Sequence, residues 1–473
     1  MLVLRRLAHA TALFVEPPVS PARRGRGGWG RVGLAAGAVL VGTAVGLCRQ
    51  PGVGALDTVW AEDGGIFLSD AAGHSPLAAI SRSYAGYYHL VPRLLAGLAT
   101  LAPAGAAAAV LALSAALCTA LVALLVYTAS ADHLPSRLCR LLVSAIVVVV
   151  PVGQSDILNN IANLHWYGLY ALFWLLLWTP RSVAGRAVAA IVVLLVAGSD
   201  ILVLGFVPLA LVRAVRRRAD GRRDRHGILL GALLGLGLAV QFSGLLTGSS
   251  TRALSPDPVR AATGYVLRVV PAALIGQRWL GTQVDTGWLA LAAVAWLLVV
   301  AAAVVVWLRL VRPRWPLAVA AALHSVALYV LPVLLTGEAT PRYAVVPAML
   351  VVTALVAVLQ PDRSQSVAVL QPDGPQSVGL HRPDGSPAVP GRPDRGRLRL
   401  AAPLYTLAAL LAVICAVNLR VDNARAHGPT WSAQLQLARI GCTGPDATVE
   451  VLIPPVKVTP PWLVRLPCRY LQR

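Results

Sequence analysis

The chain has 473 residues, 57% hydrophobic and 13% charged, with a mean hydropathy of +0.69. A soluble globular protein carries about 25% charged residues, so the composition excludes a soluble enzyme; recurring apolar runs of about eighteen residues or more read as transmembrane helices. The net charge of +21 is carried by arginine, with Lys457 the one lysine, and the arginines gather in short stretches beside apolar runs, which points to anionic lipid headgroups and not to nucleic acid.

In chain order, residues 1–30 form a basic N-terminus whose apolar stretch is short and broken by Glu16-Pro17-Pro18. They read as a cytoplasmic leader and not as a cleaved signal peptide. Apolar segments then fall at 32–48, 104–128, 138–152, 164–179, 184–197, 200–213, 227–247, 286–308, 317–335, 341–359 and 400–419, which makes about eleven spans. Gly198-Ser199-Asp200 is either a tight turn between two short spans or a break in a single one. The alternating segments of about ten residues that mark a β-barrel are not seen. The fold class is an all-α polytopic membrane protein: a transmembrane core over 31–359 containing an outer loop at 50–103, a last span at 400–419, and an extracytoplasmic tail at 420–473. Residues 360–399 repeat a Pro-Asp unit and are rich in Pro, Gly and Ser, so they read as a disordered cytoplasmic linker.

Arginine counting sets the orientation. With the N-terminus inside, the clusters at 213–226 and 309–316 also fall inside, whereas loop 50–88 falls outside with Asp57, Glu62, Asp63 and Asp70 against Arg82 alone. Two spans over 184–213 keep both clusters inside; one span would turn them outward. The mildly basic loop 248–285 is the exception, falling outside. In the tail, "ATVEVLIPP" (447–455) reads as a strand closed by prolines. Cys442 and Cys468, the cysteines away from apolar segments, are expected to pair outside the membrane.

The polar residues at span ends converge on the outer side: Glu62 and Asp63, His89 and Arg93, Asp156, Asn163 and His165, Asp200, then Glu338 and Arg342. Ionisable groups at membrane depth are costly unless they pair or line a cavity, so a hydrated cavity is expected there. Residues 88–103 are apolar but short and bounded by prolines, consistent with an interfacial or re-entrant helix that holds the first loop down. The acids of "LDTVWAEDGGIFLSDA" (56–71) have two readings, a solvated loop or the floor of a site.

The stretch "WAEDGGIFLSDA…YAGYYHLVPRLLAGLATLAP" resembles the opening of bacterial GT-C glycosyltransferases, multi-span enzymes that take sugars from polyprenyl-phosphate carriers. The motif-level likeness covers about residues 55–103; beyond them the likeness is one of architecture, and Glu-Asp stands where better-known branches carry Asp-Asp or Asp-x-Asp. The resemblance implies inverting sugar transfer to an extracytoplasmic acceptor, with Glu62 or Asp63 as base. Sugar transfer needs such a carboxylate to take the acceptor's proton and cations to meet the charge on the leaving phosphate. Arg93 and Arg342 are the candidates for the latter, with His89, Asn163, His165 and Glu338 as further substrate-binding groups. The partners implied are a polyprenyl-phosphate-sugar donor, membrane lipids, and a glycan, lipid or protein acceptor. No cofactor is required, and a divalent metal is left open. A transporter or flippase, or an inactive envelope scaffold, are the alternatives; transporters place ionisable residues near the midplane and show internal repeats, and neither is evident.

Overall fold

The computed structural model describes residues 28–216, 221, 223–247, 255–280, 284–360 and 395–472. Most of the basic N-terminus, part of the 213–226 cluster and most of the Pro-Asp linker lie outside the described residues. Each apolar segment of the sequence coincides with helix. The long helices are α1 (Gly28–Cys48), α2 (Leu90–Thr100), α3 (Ala107–Ala129), α4 (Arg137–Val149), α5 (Leu164–Leu177), α6 (Val183–Ala197), α7 (Val207–Val215), α8 (Arg225–Thr247), α9 (Thr286–Trp307), α10 (Trp315–Thr336), α11 (Val345–Val358), α12 (Arg395–Val417) and α13 (Trp431–Ile440). Among the described residues, six helical segments, containing α1, α3, α8, α9, α10 and α11, are long and apolar enough to cross a membrane, and five shorter apolar helices accompany them. The chain is an all-α polytopic membrane protein whose sheet, among the described residues, is a single hairpin of β1 (Thr448–Leu452) and β2 (Leu463–Pro467).

Helix α5 explains why apolar length alone misjudges some spans. Its 14 residues reach only about 21 Å at ~1.5 Å per residue, against a hydrocarbon core of about 30 Å. It is enclosed instead: every residue from Trp166 to Leu177 is buried, packed by α3, α6 and α11. A helix apolar all round and shielded by neighbours carries no amphipathic stripe. The 184–213 region resolves into two helical pieces, α6 and the run Ile201–Val215. They part at Ser199-Asp200, where an Asp200 carboxylate oxygen accepts the Leu202 N–H at 2.8 Å.

Buried arginines close helix ends, where four carbonyls lack intrahelical partners. Arg213 donates to the carbonyls of Leu175 and Leu176 at 2.7 and 2.6 Å and to Trp178 at 2.6 Å, with Asp224 3.6 Å away. Arg49 does the same for Val148, Val150 and Leu419. Arg213 thus marks the end of α5 opposite to His165.

At the His165 end the first loop and the tail are built into one another. Gly64 and Gly65 lie in a π-helical turn, Asp63–Leu68, against the hairpin. A Cβ on Gly64 would sit 2.6 Å from Val464 and 2.7 Å from Ile453, and one on Gly65 2.8 Å from Trp462, so no larger side chain fits this approach. Trp431 and Tyr470 of the tail donate to the carbonyls of Ala104 and Ala99 beside the end of α2. Cys442 and Cys468 are disulfide-bonded, with Cα atoms 5.7 Å apart. Helix α2 has 11 residues, far too few to cross a bilayer, and it packs on both Asp63–Leu68 and α3. Its start is tied to the α6–α7 turn: Leu90 N–H donates to Gly198 O, and Val91 N–H to Ser199 Oγ. Gln241 of α8 locks the approach by binding both the N–H and the carbonyl of Tyr88.

Candidate active site

The four acids of 56–71 do four different things. Asp57 receives the Ser432 N–H at 2.8 Å and its hydroxyl at 2.6 Å, docking the first turn of α13. Asp70 binds Arg93 at 2.9 Å and Arg82 at 3.1 Å. Asp63 is buried, and its two oxygens accept the backbone N–H groups of Ile161 and Ala162 at 2.9 and 2.8 Å. Glu62 turns the other way, into a cavity, where its Oε1 lies 3.8 Å from Arg342 Nη1. The residue before it, Ala61, has φ +27°, a costly conformation for a residue with a Cβ. It is fixed by its N–H donating to Pro454 O at 2.9 Å.

Asp63 and Arg425 form the frame behind the cavity. Arg425 is 4% exposed. Its guanidinium donates to the carbonyls of Leu158, Asn159, Ala55 and Thr58 and to the Thr58 hydroxyl, at 2.7 to 3.2 Å. Burial lowers its pKa to about 10 while the charge of Asp63 pulls it back up. Burial likewise pushes the Asp63 carboxyl up to about 7, opposed by the N–H groups of Ala162 and Ile161 and by Arg425, and reinforced by Glu62. Asp63 and Arg425 together hold the 158–162 loop against the 55–63 loop. No sequence signal marks Arg425: it lies in "NARAHG" (423–428) without periodicity, and most of its partners are carbonyls far away in the chain.

The cavity has a volume of about 410 Å³ and is lined by Glu62, His89, Asn163, His165, Asp200 and Arg342, with rings from Tyr84, Tyr87, Trp166 and Tyr343. Asn163 is fixed on three sides: it donates to Asp156 O at 3.0 Å, accepts from the Trp166 indole at 3.1 Å, and gives its own N–H to Asn160. His165 pairs with Asp200, Nδ1 to Oδ2 at 2.5 Å. His89 is 4% exposed and stacks on Tyr87, ring centroids 4.1 Å apart. Asp156, just outside the lining, is raised by burial; Arg342 opposes that shift and Glu62 adds to it. Arg342 thus pairs with Glu62, and its charge also acts on Asp156.

Arg93 and Glu338 stand elsewhere. Arg93 is 2% exposed, bound to Asp70 with its guanidinium 5.3 Å from the Phe67 ring centroid. It braces α2 against the first loop and does not line the cavity. Glu338 is exposed, and among the described residues it has no ion pair with Arg342, whose acid is Glu62. Glu338 and Arg342 are four residues apart, but Gly337, at φ +68°, ends α10 between Thr336 and Glu338, so no helical turn joins the two. Among the described residues, no three His, Cys, Asp or Glu side chains gather as a metal site would require.

A second cavity, about 570 Å³, runs between α3, α5 and α6 and is walled by residues such as Leu121, Leu125, Val188, Val192 and Leu195. It is almost wholly apolar, and His165 belongs to its wall as well as to that of the polar cavity.

No family model matches the chain, and no curated protein matches it. Among solved structures it is similar to the crystal structure of ArnT from Cupriavidus metallidurans bound to undecaprenyl phosphate, at 14% identity and a TM-score of 0.42. That likeness covers 73% of this chain, and the chain spans 62% of the length of that one.

Proposed function

We propose that the chain is a GT-C-type membrane glycosyltransferase, moving a sugar from a polyprenyl-phosphate carrier to an extracytoplasmic acceptor with inversion at C1. The observation that carries this reading is the Glu62–Arg342 pair on the wall of a polar cavity, adjoining a second, apolar cavity of about 570 Å³. In this reading Glu62 accepts the proton of the acceptor hydroxyl as its oxygen bonds to C1. A single displacement requires one such carboxylate, and the anomeric centre inverts. Arg342 turns from Glu62 toward the phosphate as negative charge grows there. Asn163 and His89 bind the sugar, while the rings of Tyr87, Trp166 and Tyr343 offer faces for its apolar side. Asp63 positions Glu62 through the backbone it clamps, and Arg93 positions α2.

The Glu62 end is outside in this reading, with the arginine clusters inside, the C-terminal tail extracytoplasmic and the N-terminus cytoplasmic. No cofactor is called upon. The test is incorporation of radiolabelled sugar from polyprenyl-phosphate donors into membranes containing the protein. Glu62→Gln should lower it by about 10²-fold or more without loss of the protein from the membrane; incorporation equal to that of the wild type would refute the assignment.

A further inference from the structure

The pair His165–Asp200 has no role in the proton transfer just described, yet it faces the same cavity. Asp200 is 1% exposed. One of its oxygens is committed to the Leu202 N–H at 2.8 Å and the other to His165 Nδ1 at 2.5 Å. Among the described residues no arginine or lysine forms an ion pair with Asp200, so His165 is its one ionisable partner. A buried carboxylate without a cation is costly, and the pair is neutral overall when the ring carries both protons. Because Nδ1 is held by Asp200, the ring's other nitrogen, Nε2, is the one left to carry a proton elsewhere. His165 also stands in the walls of both cavities. A phosphate joined to a lipid chain belongs at such a junction, with its charge in the polar cavity and its chain in the apolar groove.

We propose that His165, oriented by Asp200, is the proton donor to the leaving lipid phosphate, working across the cavity from Glu62. This rests on the sugar-transfer reading above. The acceptor oxygen bonds to C1, and its proton goes to Glu62. The bond from C1 to the phosphoryl oxygen breaks, its electron pair staying on that oxygen, which takes the Nε2 proton. Water then carries the proton from Glu62 to His165, so the acceptor's proton leaves on the lipid phosphate and both groups are restored. The other titratable or charged side chains lining the polar cavity are Glu62, Arg342, His89, Tyr84, Tyr87 and Tyr343; Asp200 is the one paired with the ring.

The test uses the full chain in detergent or nanodiscs, with undecaprenyl phosphate as the probe and undecaprenol as the uncharged control, between about pH 5 and about pH 8. The probe's own phosphate titrates near about pH 6, so the quantity read is the difference between wild type and His165→Gln. A charge-assisted hydrogen bond predicts a gap of roughly tenfold in Kd at the acid end, closing toward the alkaline end. Asp200→Asn should shrink the gap while leaving undecaprenol binding as it was. A purely structural role for His165 lowers affinity by the same factor at every pH, and that result overturns the proposal, as does a wild-type pH slope in H165Q. Should H165Q not accumulate, Asp200→Asn decides alone, and an unchanged slope overturns the proposal. A wild-type protein that does not prefer undecaprenyl phosphate to undecaprenol at any pH removes the lipid-phosphate reading itself.

Discussion

Two clusters of charged groups lie back to back behind residues 61–63, and they differ in how much bonding capacity they leave over. Around Arg425 and Asp63, capacity is largely spent: the guanidinium reaches five acceptors and both carboxylate oxygens have backbone donors. Around Arg342 and Glu62, the contact is one 3.8 Å approach beside an open cavity. Adjacent residues of the same chemical type thus fall on opposite sides of a division between framework and site. Residue type does not draw that line; spare hydrogen-bonding capacity does.

The sharpest way to break the comparison is to swap the acids one at a time. Glu62→Gln keeps the shape but removes the base, so transfer should fall by about 10²–10⁴-fold, read as sugar incorporation, with the melting temperature held. If Asp63→Asn instead abolished transfer while Glu62→Gln spared it, the division would be inverted. Arg342→Gln should lower turnover by about 10²-fold or more and weaken donor binding while making it less sensitive to salt, with little change in thermal stability.

Asp63→Asn belongs to the framework. It leaves one of the N–H groups of Ile161 and Ala162 without an acceptor, which costs about 1–3 kcal/mol, read as a lower melting temperature. It also has a pH signature. Because the folded-state pKa is raised to about 7, from about 3.9 in the unfolded chain, the native state binds more protons between those values. Stability therefore falls as pH rises from about 4 through about 7 and is flat above. The Asp63→Asn protein should lack that slope, which denaturant titration across the range would reveal. Asp57→Ala, which frees the first turn of α13, should cost about 1 kcal/mol and show chiefly as faster proteolysis of the tail.

How much of this was legible in the sequence follows from how each part is specified. The helices were, since length and apolarity are dictated by the solvent around them. That α5 is enclosed was not, because its lipid-like composition reads the same whether lipid or protein surrounds it. Glu62, Arg342, Asn163 and His165 could be placed on one end of the bundle by arginine counting. Their partners could not. Asp200 reads as a helix break, and its bond to His165 spans 35 residues. Arg93 read as a cation for the leaving phosphate and not as the partner of Asp70, because that choice is made by how α2 packs on the first loop. Arg425 carried no signal at all, since carbonyl groups are present at every position and leave no trace in a pattern of side chains.

The Arg425 clamp also imposes an order on biogenesis. The guanidinium that fixes residues 55–58 and 158–159 belongs to a segment 267 and 370 residues further along the chain than the carbonyls it binds at Leu158 and Ala55. Contacts so distant in sequence form only after the intervening chain has been made and the loop between them closed. While the ribosome is still extending the chain, the helices can already have entered the bilayer, but Glu62 sits on an unclamped strand of peptide. In the sugar-transfer reading, the site is therefore incomplete until the chain has been made through Arg425, and a chain stalled before that residue would be inserted yet silent.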